Sequence, residues 1–176
     1  MSDTILVLNA GSSSIKFQLF AIGASRSLDR LLKGQVEGIG VTPHLVAKGR
    51  AGNILVGETW SGDTVATVPA ALEKVVAFLR DQLNGKLPTA VGHRVVHGGV
   101  RFSRPTPITD AVIRELEPLI PLAPLHQPNN LGPIRTIHER LPGLLQVACF
   151  DTAFHRGHPD LADRYAIPET LYREGV

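Results

Sequence analysis

The sequence predicts a mixed α/β fold, a β-sheet with helices packed over it, and two features of its hydrophobic pattern carry that prediction. Through the first 60 or so residues, apolar and polar side chains alternate in short runs punctuated by glycine, which is the period of half-buried strands. From Val68 the period lengthens to three and four residues, and helical stretches then alternate with further strands. Strands first, then helix and strand in turn, is the order of a mixed sheet with helices laid on it.

Each element can be justified in order. Residues 4–8 are short, apolar and rich in branched side chains, so they form a strand, and residues 9–14 make a turn by composition. Ile15, Phe17 and Leu19 then alternate with Lys16 and Gln18, so a second strand leaves the turn at once and the pair is a hairpin, with Lys16 on the face away from the apolar side chains. Leu31 to Val36, His44 to Lys48 and Ile54 to Trp60 read as a meander of modest strands that includes a sheet edge. Val68, Leu72, Val75, Val76, Leu79 and Leu83 line one face of a helix that stops near Asn84-Gly85.

Ala90 to His97 is again a strand, and Thr109 or Asp110 caps a second helix with Val112, Ile113, Leu116 and Ile120 on its face. Five prolines between Pro118 and Pro133 prevent one continuous helix there, and a third helical pattern follows through Ile134, Ile137 and Leu141. Residues 144–150 form an almost unbroken apolar run, the pattern of a strand covered on both faces, ending at Asp151. A last short helical piece falls near Glu169 to Arg173.

Composition narrows the function. At 176 residues the chain is one domain or slightly more, enough to bury a core without disulfides or a structural metal. Its single cysteine, Cys149, cannot form an internal disulfide, and no secretory leader pattern precedes the first strand, so a reducing, cytoplasmic location is expected. No apolar run approaches the roughly 18 residues of a membrane span. A net charge of +2 with 5% aromatic residues gives no basis for nucleic-acid binding.

Four groups of residues can carry chemistry. The turn Asn9-Ala10-Gly11-Ser12-Ser13-Ser14 offers a small residue, successive N–H groups and three hydroxyls, an array that suits phosphate oxygens, and Lys16 can reach the same ligand. It is neither a P-loop nor a dinucleotide turn, because the element after it is a strand. An ordinary serine-rich hairpin turn is the alternative. Second, Gln82 to Thr109 contains no acid but holds Lys86, Arg94, Arg101 and Arg104. Arg94 stands out because it lies within an otherwise apolar strand, where a guanidinium must either be ion-paired or open into a cleft and grip a carboxylate or phosphate.

Third, His126 sits between prolines in an acid-free stretch, poised as a donor, although a structural role is the plainer reading. Fourth, Asp151 ends a strand at the position where ligands collect in open α/β sheets. Asp160 and Asp163 lie on a polar tail and need no special account, while Asp151, His155 and His158 form a conceivable metal triad across a segment that Gly157 and Pro159 keep from being regular helix.

Taken together, four blocks in order resemble the acetate and propionate kinase family. They are Leu6 to Lys16, Gly92 to Gly99 with Arg94, Pro121 to Asn130 with His126, and Ala148 to His155 with Asp151. The resemblance implies a lobe of the actin-like, sugar-kinase ATPase superfamily, built on a ribonuclease-H-like mixed sheet with flanking helices. It also implies Mg²⁺-dependent phosphoryl transfer between ATP and acetate, giving ADP and acetyl phosphate. By motif position Asn9 would help hold Mg²⁺, and Ser12, Ser14 and Lys16 would bind nucleotide phosphates. Arg94 would hold the acyl carboxylate or the moving phosphoryl group, and His126 would donate to phosphoryl oxygens. Asp151 would be the catalytic carboxylate, and Val96 and Leu125 would line the pocket for the methyl group.

Family members run to about twice this length and continue into a nucleotide-binding lobe through which they dimerise. The expectation is therefore that residues 1–176 are the N-terminal lobe, with the C-terminal lobe absent and negligible kinase activity in these residues alone. A propionate or other short-chain acyl kinase is the close alternative. A non-catalytic anion-binding module and a metal-dependent hydrolase built on Asp151, His155 and His158 are the alternatives of other classes.

Overall fold

Strand β1 (Thr4–Ala10) turns through residues 11–13 into β2 (Ser14–Ile22), and the pair is antiparallel, with Asn9 opposite Lys16 and Leu8 opposite Phe17. The computed structural model describes residues 3–159, 162 and 164–174. The meander continues as β3 (Leu28–Glu37), β4 (His44–Gly49) and β5 (Ile54–Thr59), each antiparallel to the strand before it, with β5 at the edge. After helix α1 (Val68–Gln82), β6 (Ala90–Val95) returns parallel to β1, and β8 (Leu145–Phe150) lies parallel to β6.

The sheet order is β5-β4-β3-β2-β1-β6-β8-β7, where β7 (Thr106–Pro107) is a two-residue edge strand antiparallel to β8. The antiparallel strands β1 to β3 followed by β6 and β8 parallel to β1 are the ribonuclease-H-like arrangement, and β4 and β5 extend its meander. Such short pairing leaves no periodic pattern, so the sequence gives no sign of β7.

The helices begin and end where local chemistry requires. Thr67 caps α1 by accepting from the Ala70 N–H, and the helix stops where Asn84 and Gly85 take positive φ and Gly85 N–H donates to Arg80 O at 2.8 Å. Thr109, rather than Asp110, caps α2 (Asp110–Leu116) through a hydrogen bond from Val112 N–H. The proline-rich stretch divides into a 3-10 helix (Glu117–Leu122), a break, and α3 (Gln127–Arg140). Helix α3 starts earlier than the Ile134 pattern indicates because Pro128 falls in the first turn, where its missing N–H costs nothing. A 3-10 helix (Asp151–Gly157) follows β8, and α4 (Glu169–Arg173) ends the described chain.

Packing follows the alternation. Leu6, Leu8, Ile15, Phe17, Leu19 and Val91 face a core shared with Leu72, Val75 and Leu79 of α1 and Ile137 of α3. A second cluster joins Val95, Ala148 and Phe150 to Ile113 and Leu116 of α2 and Leu131 and Ile134 of α3. Helices α1, α2 and α3 therefore cover one face. Gly34 is opposite Phe17, and a β-carbon there would lie 2.4 Å from the Phe17 ring, so the aromatic side chain fills the place of a missing one.

The other face is open. Val7, Lys16, Lys33, Lys48, Arg94 and Cys149 are exposed on it. This corrects the expectation for residues 144–150. Strand β8 buries Gln146, Ala148 and Phe150 but leaves Leu145 and Cys149 exposed, so it is covered on one face by the described residues. An apolar run reports that both kinds of position are apolar, not that both are buried.

Candidate functional site

Arg94 is the hub. It lies near the C-terminal end of β6, on the open face, because the two-residue period that buries His93 and Val95 turns it outward. Strand β8 stands beside β6 in parallel register and ends at Phe150, so Asp151 emerges next to Arg94. The guanidinium grips that carboxylate in two places, Nε to Oδ1 at 3.0 Å and Nη2 to Oδ2 at 2.7 Å. From β1, on the other side of β6, Asn9 Oδ1 accepts from Arg94 Nη1 at 3.4 Å. The hydrogen bond from Arg94 to Asp151 raises the already high guanidinium pKa, so the arginine stays charged. Side-chain exposures of 52% and 40% keep the pair solvated, so its importance lies in geometry more than in stability.

The backbone just beyond Arg94 is fixed by side chains. Asn130 Oδ1 accepts from Val96 N–H at 2.9 Å, and Asn130 Nδ2 donates to Ala10 O at 2.6 Å. Gln127 accepts from His97 N–H at 3.2 Å and donates to His97 O at 2.9 Å. Thr152 Oγ1, next to Asp151, accepts from Gly98 N–H at 3.0 Å. Gln127, Asn130 and Thr152 carry no role in the sequence reading. The first two lie in a block that did point to the site, but nothing local marks an amide as buried.

The turn at residues 9–14 sits at the same end of the sheet. Gly11 N–H closes it on Ser14 O at 2.8 Å, and the hydroxyls of Ser12, Ser13 and Ser14 have no hydrogen-bond partner among the described residues. Gly11 takes no positive φ, and a β-carbon there would meet Ser14 at an ordinary 3.7 Å, so neither backbone nor packing demands glycine. Lys16 shares with Asn9 and Arg94 a groove of about 560 Å³ that runs over the open face past Gln18 and Gln35 to Lys33 and Lys48. Lys16, Lys33 and Lys48 make no salt bridge among the described residues.

The remaining expectations divide. Asn9, Lys16, Arg94 and Asp151 come together through the register of β1, β2, β6 and β8. Val96 is half-buried in the segment that Asn130 holds. His126 precedes α3 with an exposed side chain, Leu125 is 74% exposed, and neither contacts Arg94 or Asp151 by any hydrogen bond. The acid-free stretch does not converge. Arg101 pairs with Glu115 at 2.8 Å, and Lys86 lies beside Asp3 and Thr4 at the opposite end of the sheet from Arg94. Asp151 turns to Arg94 while the His155 and His158 rings stack edge-on at 5.2 Å, and no metal-binding cluster of three His, Cys, Asp or Glu residues forms among the described residues. Asp160 and Asp163 lie outside the described residues. No described helix is long and apolar enough to cross a membrane.

Known proteins resemble this chain in sequence and in fold. The sequence model of the Acetokinase family matches residues 4–176. Acetate kinase of Nitrobacter hamburgensis is 52% identical over 99% of this chain, and that of Rhizobium meliloti is 49% identical over 99%. Among solved structures, a propionate kinase from Francisella tularensis aligns over 98% of the chain with a TM-score of 0.83 and 34% identity. Acetate kinase of Porphyromonas gingivalis aligns over 98% with a TM-score of 0.81 and 37% identity. The chain spans 43% of the Nitrobacter relative, 44% of the Rhizobium relative and 43% of each of these two structures.

Fold and site together define a lobe of the actin-like ATPase fold, with Arg94 and Asp151 at the C-terminal ends of the parallel strands β6 and β8. Within that class, the chain belongs to the acetokinase family.

Proposed function

We propose that these residues form the N-terminal, acyl-binding lobe of a cytoplasmic acetate kinase, which moves a phosphoryl group reversibly between ATP and acetate when joined to a nucleotide-binding lobe. One observation carries the reading: a guanidinium held side-on by Asp151 and touched by Asn9, at the mouth of an open crevice. Arginine has five N–H donors, and three are engaged here. One donor on each Nη is left, the pair that grips a carboxylate or a phosphoryl group end-on.

In this reading the chemistry requires little beyond positioning. Acetate is ionised at neutral pH, so its oxygen attacks phosphorus without a general base. The transition state is a spread-out negative charge that fixed cations stabilise. Arg94 supplies that charge and orients the acyl group, and Asp151 holds the arginine in place rather than removing a proton. Ser12, Ser14, the turn N–H groups and Lys16 take nucleotide phosphate oxygens, and Gly11 leaves bare backbone for their approach. Val96 and Leu125 border the methyl group, and His126 donates to the phosphoryl oxygens. Asn9 and Asp151 present an all-oxygen donor set, the type that suits Mg²⁺ together with substrate phosphates. Bound there, the ion would neutralise phosphate charge. The complete protein is proposed to work as a homodimer assembled through the other lobe.

The experiment is acyl phosphate formation by the complete enzyme from ATP and acetate, with Asp151→Asn alongside. The variant should lose about a hundredfold or more in kcat with a smaller change in acetate KM. Unchanged turnover would remove Asp151 from the machinery. The likeness to a propionate kinase favours a second reading, in which the preferred acid is one methylene longer. Such a difference is worth ~1–3 kcal/mol, so kcat/KM for the two acids, measured side by side, decides between them.

A further inference from the structure

Helix α3 begins with two buried amides, Gln127 at 0% and Asn130 at 5% exposure. A buried amide is costly unless every polar atom finds a partner, so the destination of its hydrogen bonds is informative. Asn130 uses both ends on backbone groups from two different strands. Its Nδ2 donates to the carbonyl of Ala10, the last residue of β1 before the Gly11 turn. Its Oδ1 accepts from Val96 N–H, two residues beyond Arg94 and just past the end of β6. One partner can only accept and the other can only donate, so the orientation of the amide is dictated by the backbone.

The sheet explains why a side chain is needed. Strands β1 and β6 are in parallel register from Ile5 opposite Ala90 to Leu8 opposite His93, and their pairing ends there. Strand β1 continues to Ala10 and β6 to Val95, so the last residues of the two strands are not paired with each other. Asn130 bridges the gap that the ladder leaves, and Gln127 secures the next residue, His97, by both its N–H and its carbonyl. Beyond the ladder, the serine turn and the arginine strand are therefore held by side chains, the buried Asn130 carboxamide and the exposed Asn9–Arg94 contact, rather than by sheet hydrogen bonds.

We propose that Asn130 is a positioning residue for phosphoryl transfer, fixing the nucleotide-phosphate turn at residues 11–14 against the acyl-binding strand of Arg94. This rests on the acyl kinase reading given above. Misplacing reactants by about 1 Å can cost on the order of a hundredfold in rate. A residue that serves only the core leaves the kinetics of each folded molecule intact.

The test uses the complete enzyme, unmutated and as Asn130→Ala and Asn130→Asp, with active molecules counted by binding titration. Asn130→Ala should lower kcat per active molecule by roughly 10- to 100-fold and raise KM for both ATP and acetate. Asn130→Asp keeps the acceptor for Val96 N–H but sets a carboxylate oxygen against the Ala10 carbonyl. Its deficit should therefore shrink as pH falls and the protonated carboxyl regains a donor, a trend absent from the unmutated enzyme.

Variants that melt at lower temperature but keep kcat and both KM values within twofold would overturn the proposal, as would an Asn130→Asp profile parallel to the unmutated one. If Asn130→Ala does not fold, Asn130→Asp decides, and failure of both to fold would assign Asn130 to folding alone and overturn it. An unmutated enzyme that forms no acyl phosphate would instead overturn the kinase reading, and the proposal with it.

Discussion

His93 and Arg94 are neighbours in β6, yet the sheet treats them in opposite ways. His93 points to the helix-covered face, is 3% exposed, and hydrogen-bonds Gln146 through Nε2 at 2.8 Å. Burial pushes its pKa down to about 4, against a smaller opposing effect of the Gln146 hydrogen bond, so it is neutral in the fold at physiological pH. Arg94 points to the open face, stays charged and is held by Asp151. The same contrast runs through β1, where Leu8 is buried and Asn9 reaches the site, and through β2, where Phe17 is buried and Lys16 lines the groove. One face carries stability and the other carries charge. A step of one residue along a strand exchanges the two.

That division can be broken from either side. The largest effect is expected from Phe17→Ala, which empties the space over Gly34 and should cost ~3–5 kcal/mol in chemical denaturation. Its neighbour Lys16→Ala should leave the denaturation midpoint nearly unchanged, and equal costs at the two positions would contradict the division. Next is Arg94→Ala in the complete enzyme, with a loss on the order of a thousandfold in kcat/KM for acetate, about 4 kcal/mol, and a change of less than ~1 kcal/mol in folding stability. Normal acetate kinetics would remove Arg94 from the site.

His93 gives a pH signature. Between about pH 6.5 and pH 4 the unfolded chain takes up a proton that the folded one refuses, so stability falls as pH falls through this window. The drop is about 3 kcal/mol for a displacement of this size. His93→Gln should flatten that limb of a stability–pH curve while leaving the limb above pH 6.5 unaffected. A curve of unchanged shape would mean that His93 is not held neutral. The smallest effect is on the open face, where Lys33 stands directly opposite Lys48 in the β3–β4 register. Lys33→Glu replaces repulsion with attraction and should raise stability by roughly 0.2–1 kcal/mol, less at high salt. A loss instead would show that the two cations are not in repulsive contact.

Much of this was legible along the chain. The hairpin, the outward-facing Lys16, a helix start at Thr109 or Asp110 and the stop at Asn84-Gly85 follow from local rules, and the structure keeps them, with Thr109 as the cap. The open face of β8 was not legible, because Leu145 and Cys149 are as apolar as the residues that do become buried. Nor was the scattering of Lys86 and Arg101 away from Arg94, since an acid-free stretch of sequence need not be an acid-free region of space.

By itself, the sequence determined which residues alternate, where α1 stops and α2 starts, and which blocks carry polar groups at strand ends, because these depend on covalent geometry and on partners a few residues away. Only the tertiary structure decided that Arg94 meets Asp151, 57 residues on, and that Asn130 reaches Ala10 across 120. Those contacts depend on the order and direction in which β1, β6 and β8 lie side by side, and on where their pairing ends. The helices fix that arrangement by packing two clusters against one face of the sheet, with α3 contributing to both, which no local stretch of the chain encodes.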